Sequence, residues 1–482
     1  MKNISKNTII IIIAPFLFII FCLLQPLSAS YEINAMAGIA VWMAIWWMTE
    51  CIHLAITSLL PLVLIPFCGI APIKEVARQY GDSIIFLFLG GFLISIAIEK
   101  WDLHKRIARN IIKVTGTSTH GLLAGIMIAT FLLSNWISNT ATALMMLGVI
   151  MALIKEINPN DSNSSSSQYL AAALMLGMAY AASIGGMATP VGTPPNMYFF
   201  KVYHQLLPSS FSFSFYEWIK LMFPLSVLIL VGCFWILKLL LLRRSHIKNI
   251  SKQNLSLHQK QKITYEEIIV GIIFFVTIIL WITKDINAFG IKGWKYFFTY
   301  SDYIDDSTIS VASAILLFII PSKKNKGKKL LEWEDIKQLK YEILLLFGGG
   351  FALAYGFEKS GLIKYLVGQL SIIKNFHPLL IVFFISIIVV IISEFASNIA
   401  SVQLALPIIA AMSLHFSESF TLKLILPCVL SASVGFMLPV ATAPNTIAFG
   451  SGVVPLSIML KAGFWLDLFC IFSISLYCYF IL

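Results

Sequence analysis

Two polar islands interrupt otherwise apolar sequence, and they are copies of one another. The first reads Ser134-Asn135-Trp136-Ile137-Ser138-Asn139-Thr140-Ala141-Thr142, the second Ser393-Glu394-Phe395-Ala396-Ser397-Asn398-Ile399-Ala400-Ser401. The offset is 259 positions, from Ser138 to Ser397. Upstream, Phe88-Leu89-Gly90-Gly91-Phe92 with Glu99-Lys100 returns at the same offset as Gly348-Gly349-Gly350-Phe351 with Glu358-Lys359. Downstream, Ala182-Ser183-Ile184-Gly185 leading to Thr193-Pro194-Pro195-Asn196 returns as Ala432-Ser433-Val434-Gly435 leading to Thr442-Ala443-Pro444-Asn445. That offset is shorter because the first copy carries a Ser/Asn-rich insertion near 158–168. Duplicated halves with Gly/Pro-broken segments at matching positions are the signature of a secondary transporter that binds its cargo between the repeats.

The composition agrees. Of 482 residues, 59% are hydrophobic and 12% charged, about half the charge of a soluble domain, where roughly 25% is usual. Apolar runs long enough to span a bilayer, about 20 residues, occur near 8–27, 34–49, 53–70, 82–98, 218–242, 264–283, 307–321, 342–357 and 462–482. The fold class is therefore an all-α polytopic membrane protein. A β-barrel would instead show alternating segments of about ten residues. The net charge of +11 is concentrated in Lys100 to Lys113, Arg243 to Lys262 and Lys323 to Lys340. These loops are assigned to the cytoplasm by the excess of positive charge there, and 285–306, with its aspartates, to the outside. The basic cluster follows the glycine-bearing span in the first half and precedes it in the second, so the two copies cross the membrane in opposite directions. The N-terminus imitates a signal peptide, with Lys2 and Lys6 before an apolar run and Ser28-Ala29-Ser30 after it. The run from Thr8 to Leu27 is long for such a peptide, and we read it as a retained first span.

The polar islands would lie deep in lipid on straight helices. Two half-helices meeting at a tip that lines a water-filled cavity satisfy the backbone instead. The division expected is N-terminal scaffold helices over 1–81, and a first inverted-repeat core over 82–216 with a hairpin at 118–155 and a broken helix at 169–205. Scaffold helices and cytoplasmic loops follow over 217–340. The second core over 341–459 has a hairpin at 378–414 and a broken helix at 421–455, and 460–482 is a C-terminal span. Proline at the breaks disrupts the helical ladder, freeing carbonyls for cations and presenting helix N-termini to an anion.

Ser, Asn and Thr oxygens are hard neutral ligands suited to sodium, and their donors suit a carboxylate. No Arg or Lys lies in the four motif segments. A doubly charged anion would then need co-bound cations, which is the thermodynamic basis of symport. Glu394 is the one acid within either tip, and an intramembrane carboxylate invites a functional reading. Its counterpart is the neutral Asn135, so we expect a structural hydrogen-bonding role. The glycine runs read as close-packing points, and His53, His377 and His415 as interfacial. The seven cysteines have no metal or disulfide spacing and read as packing residues. No Ser–His pair, paired catalytic acids or metal cluster appears at membrane depth, which argues against an enzyme, and alternating access is favoured over a passive channel.

At Ser138-Asn139-Thr140, Ser397-Asn398-Ile399, the Thr193-Pro194-Pro195-Asn196 break and Leu438-Pro439-Val440-Ala441-Thr442-Ala443-Pro444-Asn445, the chain resembles the divalent anion:sodium symporter family, which carries di- and tricarboxylates or sulfate. The resemblance covers nearly the whole chain. It implies a homodimer of protomers with about eleven spans and two re-entrant hairpins, an elevator mechanism, and electrogenic uptake. It implies one sodium site at Ser134, Ser138, Asn139 and Gly192, and a second at Ser393, Ala396, Asn398 and Ala441, partly through backbone carbonyls. It implies anion contacts from Ser138, Asn139, Thr140, Thr193 and Pro194 on one side and Ser397, Asn398 and Thr442 on the other. Sodium is then the co-transported ion, with no organic cofactor. Two departures stand out: Ile399 replaces a threonine and Ala443 a proline of the family pattern. Two symmetry-related tips suit a C4-dicarboxylate such as succinate, malate or fumarate. Sulfate or citrate symport and sodium-independent dicarboxylate exchange stay as alternatives. Location in a bacterial inner membrane is expected, with the N-terminus cytoplasmic and the C-terminus external.

Overall fold

The computed structural model describes residues 6–116, 118–157, 165–206, 213–245, 262–284, 293–369, 376–414 and 416–481. Most of the Ser/Asn-rich insertion and of the Arg243 to Lys262 linker, the stretch 285–292 and His415 lie outside them. Among the described residues every regular element is helical. Among the described residues six helices are long and apolar enough to cross a membrane, and seven more are apolar but shorter.

Each stretch expected to be a hairpin holds two helices joined by a short turn. The arms of the first are Thr119–Ser134 and Asn139–Ile157, and those of the second Pro378–Phe395 and Asn398–Ser413. Both broken helices also form, as Ser165–Met187 followed by Pro194–Leu206, and Glu418–Ser431 followed by Ala443–Gly450. The second break, 432–442, starts earlier than the prolines suggest, well before Pro439. Two further departures concern local structure. The stretch 53–70 is not one span but Leu54–Thr57 and Leu60–Phe67. Its joint at Ser58 is held by the Tyr80 hydroxyl, which donates to the Ser58 carbonyl at 2.5 Å. The basic segment after Lys100 is not a loop but a helix, Leu103–Thr115, with Ala108 and Ile112 buried. It packs along Thr119–Ser134.

The two copies are interleaved. Within each copy the outgoing hairpin arm packs on the long part of the broken helix: Thr119–Ser134 on Ser165–Met187, and Pro378–Phe395 on Glu418–Ser431. The short parts cross over. Pro194–Leu206 packs on Asn398–Ser413, and Ala443–Gly450 on Asn139–Ile157. The glycine-bearing helices cross over too. Gly90, in Ser83–Lys100, lies against Ser310 of Asp306–Ile319, and Gly349, in Tyr341–Lys359, against Ser58. The Ser310 hydroxyl donates to the Leu87 carbonyl at 2.8 Å, a bond that demands the close backbone approach glycine allows.

Charge marks two ends of the bundle. At one end Lys100 pairs with Asp335 at 2.6 Å, Arg106 with Glu267 at 2.7 Å, and the Trp101 indole donates to the Leu330 carbonyl. The basic segments around 100–113, 262–267 and 323–340 therefore meet. At the other end Lys284 pairs with Asp306 at 2.6 Å and Lys201 with Asp82. Ser83–Lys100 runs from the second end to the first. Tyr341–Lys359 begins just after Asp335 and runs the opposite way, as inverted repeats require.

The glycine contacts give a stability test. A Cβ on Gly90 would stand 2.2 Å from the Ser310 Oγ, whereas one on Gly91 would meet Val191 at 4.0 Å. Gly90→Ala should cost about 1–3 kcal/mol by overpacking. Gly91→Ala should be neutral or gain up to about 1 kcal/mol of helix propensity. Thermal unfolding of purified protein in detergent measures both, and equal midpoints would refute the packing role.

Candidate functional site

Each polar tip is locked to the helix behind it by the same bonds. In the first copy the Ser134 hydroxyl, fully buried, lies 2.7 Å from the Asn139 Oδ1 and 2.7 Å from the Ala182 carbonyl. In the second, the Ser393 hydroxyl lies 3.3 Å from the Asn398 Oδ1 and 2.8 Å from the Ala432 carbonyl. Ser138 and Ser397 accept from the N–H groups of Ala141 and Ala400, both at 3.3 Å, and so cap the returning arms.

Each break is held by an asparagine. The Asn196 amide donates to the carbonyls of Gly186 (2.9 Å) and Thr189 (2.7 Å). The Asn445 amide donates to those of Gly435 (2.9 Å) and Leu438 (3.0 Å). The longer second break needs more. Three of its N–H groups are taken by carboxylates: Glu394 accepts from Met437 and Leu438, each at 2.9 Å, and Asp467 from Phe436 at 3.2 Å. This is why the helix unwinds so far before Pro439. It also gives Glu394 the structural role expected, bracing tip against break. Asp467, on Leu456–Phe480, was not legible as part of the site, because nothing in the sequence joins it to a tip.

Tips and breaks enclose a cavity of about 170 Å³. Ser138, Asn139, Thr140, Thr193, Pro194, Ser397, Asn398 and Thr442 all line it. Every residue expected to touch the anion is thus brought together. Gly192 and Ala441 line it as well, with Ile399 and Ala443. Ser134, Ser393 and Ala396 do not; they are buried behind the tips. Even so, the cation groups are compact. A Cβ on Gly186 would be 2.6 Å from the Asn139 Oδ1, and one on Gly192 2.6 Å from the Gly186 carbonyl. A Cβ on Gly435 would meet Ala441 and the Ser393 carbonyl at 3.2 Å each. Asn139 and Asn398 belong to both arrangements, with one face toward the cavity and one toward the buried serine. The helices beginning at Asn139, Pro194, Asn398 and Ala443 present four N-termini to the cavity, a favourable field for an anion.

The far wall comes from Phe88 and Phe92 on Ser83–Lys100, and from Lys340 and Ile343 at the start of Tyr341–Lys359. Lys340 was read from the sequence only as part of a basic cytoplasmic loop. Its place in the wall follows from the crossing of the repeats, which local pattern does not report.

The chain is similar to known proteins in both sequence and fold. The family described as the sodium:sulfate symporter transmembrane region matches residues 3–480. The sodium-dependent dicarboxylate transporter SdcS of Staphylococcus saprophyticus is 39% identical over 480 residues, covering 98% of this chain and 90% of that protein. The protein of the same name from Staphylococcus aureus strain USA300 is 38% identical over 481 residues, with the same coverage. Among solved structures, the Alcanivorax borkumensis YdaH transporter superposes with a TM-score of 0.57 at 13% identity, covering 97% of this chain and 98% of that one. Neisseria gonorrhoeae MtrF gives 0.55 at 11% identity, covering 85% and 83%. At these identities the structural likeness speaks for the fold alone.

Glu394→Gln tests the bracing of the second break. The amide offers one acceptor oxygen where the carboxylate serves two N–H groups with two. Leaving a buried donor unpaired costs about 1–3 kcal/mol, so the apparent melting temperature should fall. An unchanged midpoint would mean that the unwound segment does not depend on Glu394.

Proposed function

Because this chain belongs to the sodium:sulfate symporter family, we propose that it is a sodium-coupled symporter that imports C4-dicarboxylates such as succinate, malate and fumarate. The observation that carries this reading is the cavity in which both Ser-Asn tips and both broken helices converge. The sodium-dependent dicarboxylate transporters, at 38–39% identity over nearly the whole chain, support the choice of cargo.

In this reading one sodium sits among Ser134, Ser138, Asn139 and Gly192, and another among Ser393, Ala396, Asn398 and Ala441. The anion lies between the tips, held by Ser138, Asn139, Thr140, Thr193 and Pro194 and by Ser397, Asn398 and Thr442. Each sodium organises the asparagine that also meets the anion, so cation and anion favour one another's binding, and by linkage the favour is mutual. The hydroxyl-rich first side and the more apolar second side, where Ile399 stands opposite Thr140, suit a short carbon chain better than a compact tetrahedral oxyanion.

The proposed translocation is of the elevator kind. Tips and breaks move as one body past the wall of Phe88, Phe92 and Lys340, in a homodimer lying in the cytoplasmic membrane. The N-terminus is inside and the C-terminus outside, with about eleven spans and two re-entrant hairpins per protomer. The interlocking of the two copies supports their movement as a unit.

Two sets of variants test the reading. Asn139→Ala and Asn398→Ala should each lower sodium-dependent succinate uptake by about 100-fold or more, as expected for losing contacts to ions of both signs at about 1.5–3 kcal/mol each. Protein in the membrane should stay at normal levels. Normal uptake in either variant would remove the site. Ile399→Thr should preserve transport and change the ratio of KM values among succinate, malate and sulfate; an unchanged ratio would mean that position 399 does not meet the cargo.

A further inference from the structure

We propose that Lys340 is a specificity-determining residue of the cavity: its ammonium is the protein's own counter-charge for one carboxylate of a dianionic cargo. The inference rests on the symport reading above and adds a charge that the Ser/Asn/Thr motifs lack.

Among the described residues lining the 170 Å³ cavity, Lys340 carries the only charge. It is half-buried. Four other cations in or beside the helices are paired: Lys100 with Asp335, Arg106 with Glu267, Lys201 with Asp82 and Lys284 with Asp306. Lys340 forms no ion pair or side-chain hydrogen bond with a described residue. Its position is also wrong for stability. It is the residue at the N-terminus of Tyr341–Lys359, where the helix dipole favours an anion and disfavours a cation. Burial lowers the pKa of its ammonium, with Glu342 and Glu99 acting against that. An ammonium left half-desolvated, without a partner and at the wrong helix end, facing four helix N-termini and two Ser-Asn tips, is a site waiting for negative charge.

The surroundings supply a route. A larger cavity of about 800 Å³ opens at the basic end between Leu103–Thr115 and the returning arm Asn139–Ile157. Glu99 lines it and also acts on Lys340 across the wall. Lys340 thus stands between this basic vestibule and the tips. It is on the wall, not on a tip, so its contact with the cargo is made only while tips and wall stand as they do here. A dianion gains from it; a monoanion of the same shape can satisfy the tips without it.

The test is binding of succinate and of its monomethyl ester to the full-length protein in lipid nanodiscs with saturating sodium. Lys340→Gln should weaken succinate about tenfold or more, about 1.4 kcal/mol, and the monoester less than about threefold. Lys340→Arg should keep succinate within about threefold of wild type. Succinate affinity within about twofold of wild type in Lys340→Gln, or equal loss for diacid and monoester, overturns the assignment. If Lys340→Gln does not yield folded protein, Glu99→Gln serves, because it removes an opposing carboxylate and leaves Lys340 in place. Succinate should then bind about two- to threefold tighter, and unchanged or weaker binding overturns the assignment. Wild-type protein that binds no succinate overturns the dicarboxylate reading instead. Lys340 is then judged on sulfate, where Lys340→Gln should cost the same factor and an unchanged affinity overturns it.

Discussion

Backbone that leaves a helix inside an apolar protein must find new partners, because no water is there to supply them. Everything at the centre of this molecule follows from that demand. The two breaks free carbonyls and N–H groups beside the cavity, and four side chains take up many of them. Asn196 and Asn445 each tie two carbonyls at or just before their own break. Glu394 and Asp467 take the N–H groups of the longer second break. Ser134 and Ser393 then fasten each tip to the helix behind it. The unwound backbone is thereby supplied with partners, an arrangement suited to the preorganised ion binding proposed above.

The crossing of the repeats is the second consequence. Neither copy completes a cavity. The short helix after each break packs on the other copy's hairpin, so each half of the site is set by residues from both halves of the chain. Glycines carry the same exchange outward, Gly90 to Ser310 and Gly349 to Ser58. The symmetry is not complete. Ile399 stands where the first copy has Thr140, Glu394 where it has Asn135, and the second break is the longer. The differences give the cavity two unlike sides.

Much of this was legible in the sequence, for a physical reason. A repeated motif is read twice, and Ser-Asn pairs and Pro/Gly breaks have few uses at membrane depth. All the residues expected to touch the anion line one cavity, and helix pairs occupy the stretches expected as hairpins. What escaped was set by tertiary packing. Leu103–Thr115 is an amphipathic helix whose basic residues suggest a loop, although Leu103, Ile107, Ala108, Ile111 and Ile112 recur at helical spacing. The joint at Ser58 hid within an apolar run. The early start of the second break is decided by Glu394 and Asp467, acids far apart in the chain. Lys340 looked like one basic residue among many, and only the crossing of the repeats puts it in the wall of the cavity.

The central claim is that cation and anion share the two asparagines, and it is tested most directly by transport. Purified protein in proteoliposomes should accumulate radiolabelled succinate when an inward sodium gradient is imposed and fail to do so when potassium replaces sodium, with unlabelled malate and fumarate competing. Succinate entry that proceeds equally in potassium, driven only by dicarboxylate inside the vesicle, would contradict the account and make the protein an exchanger.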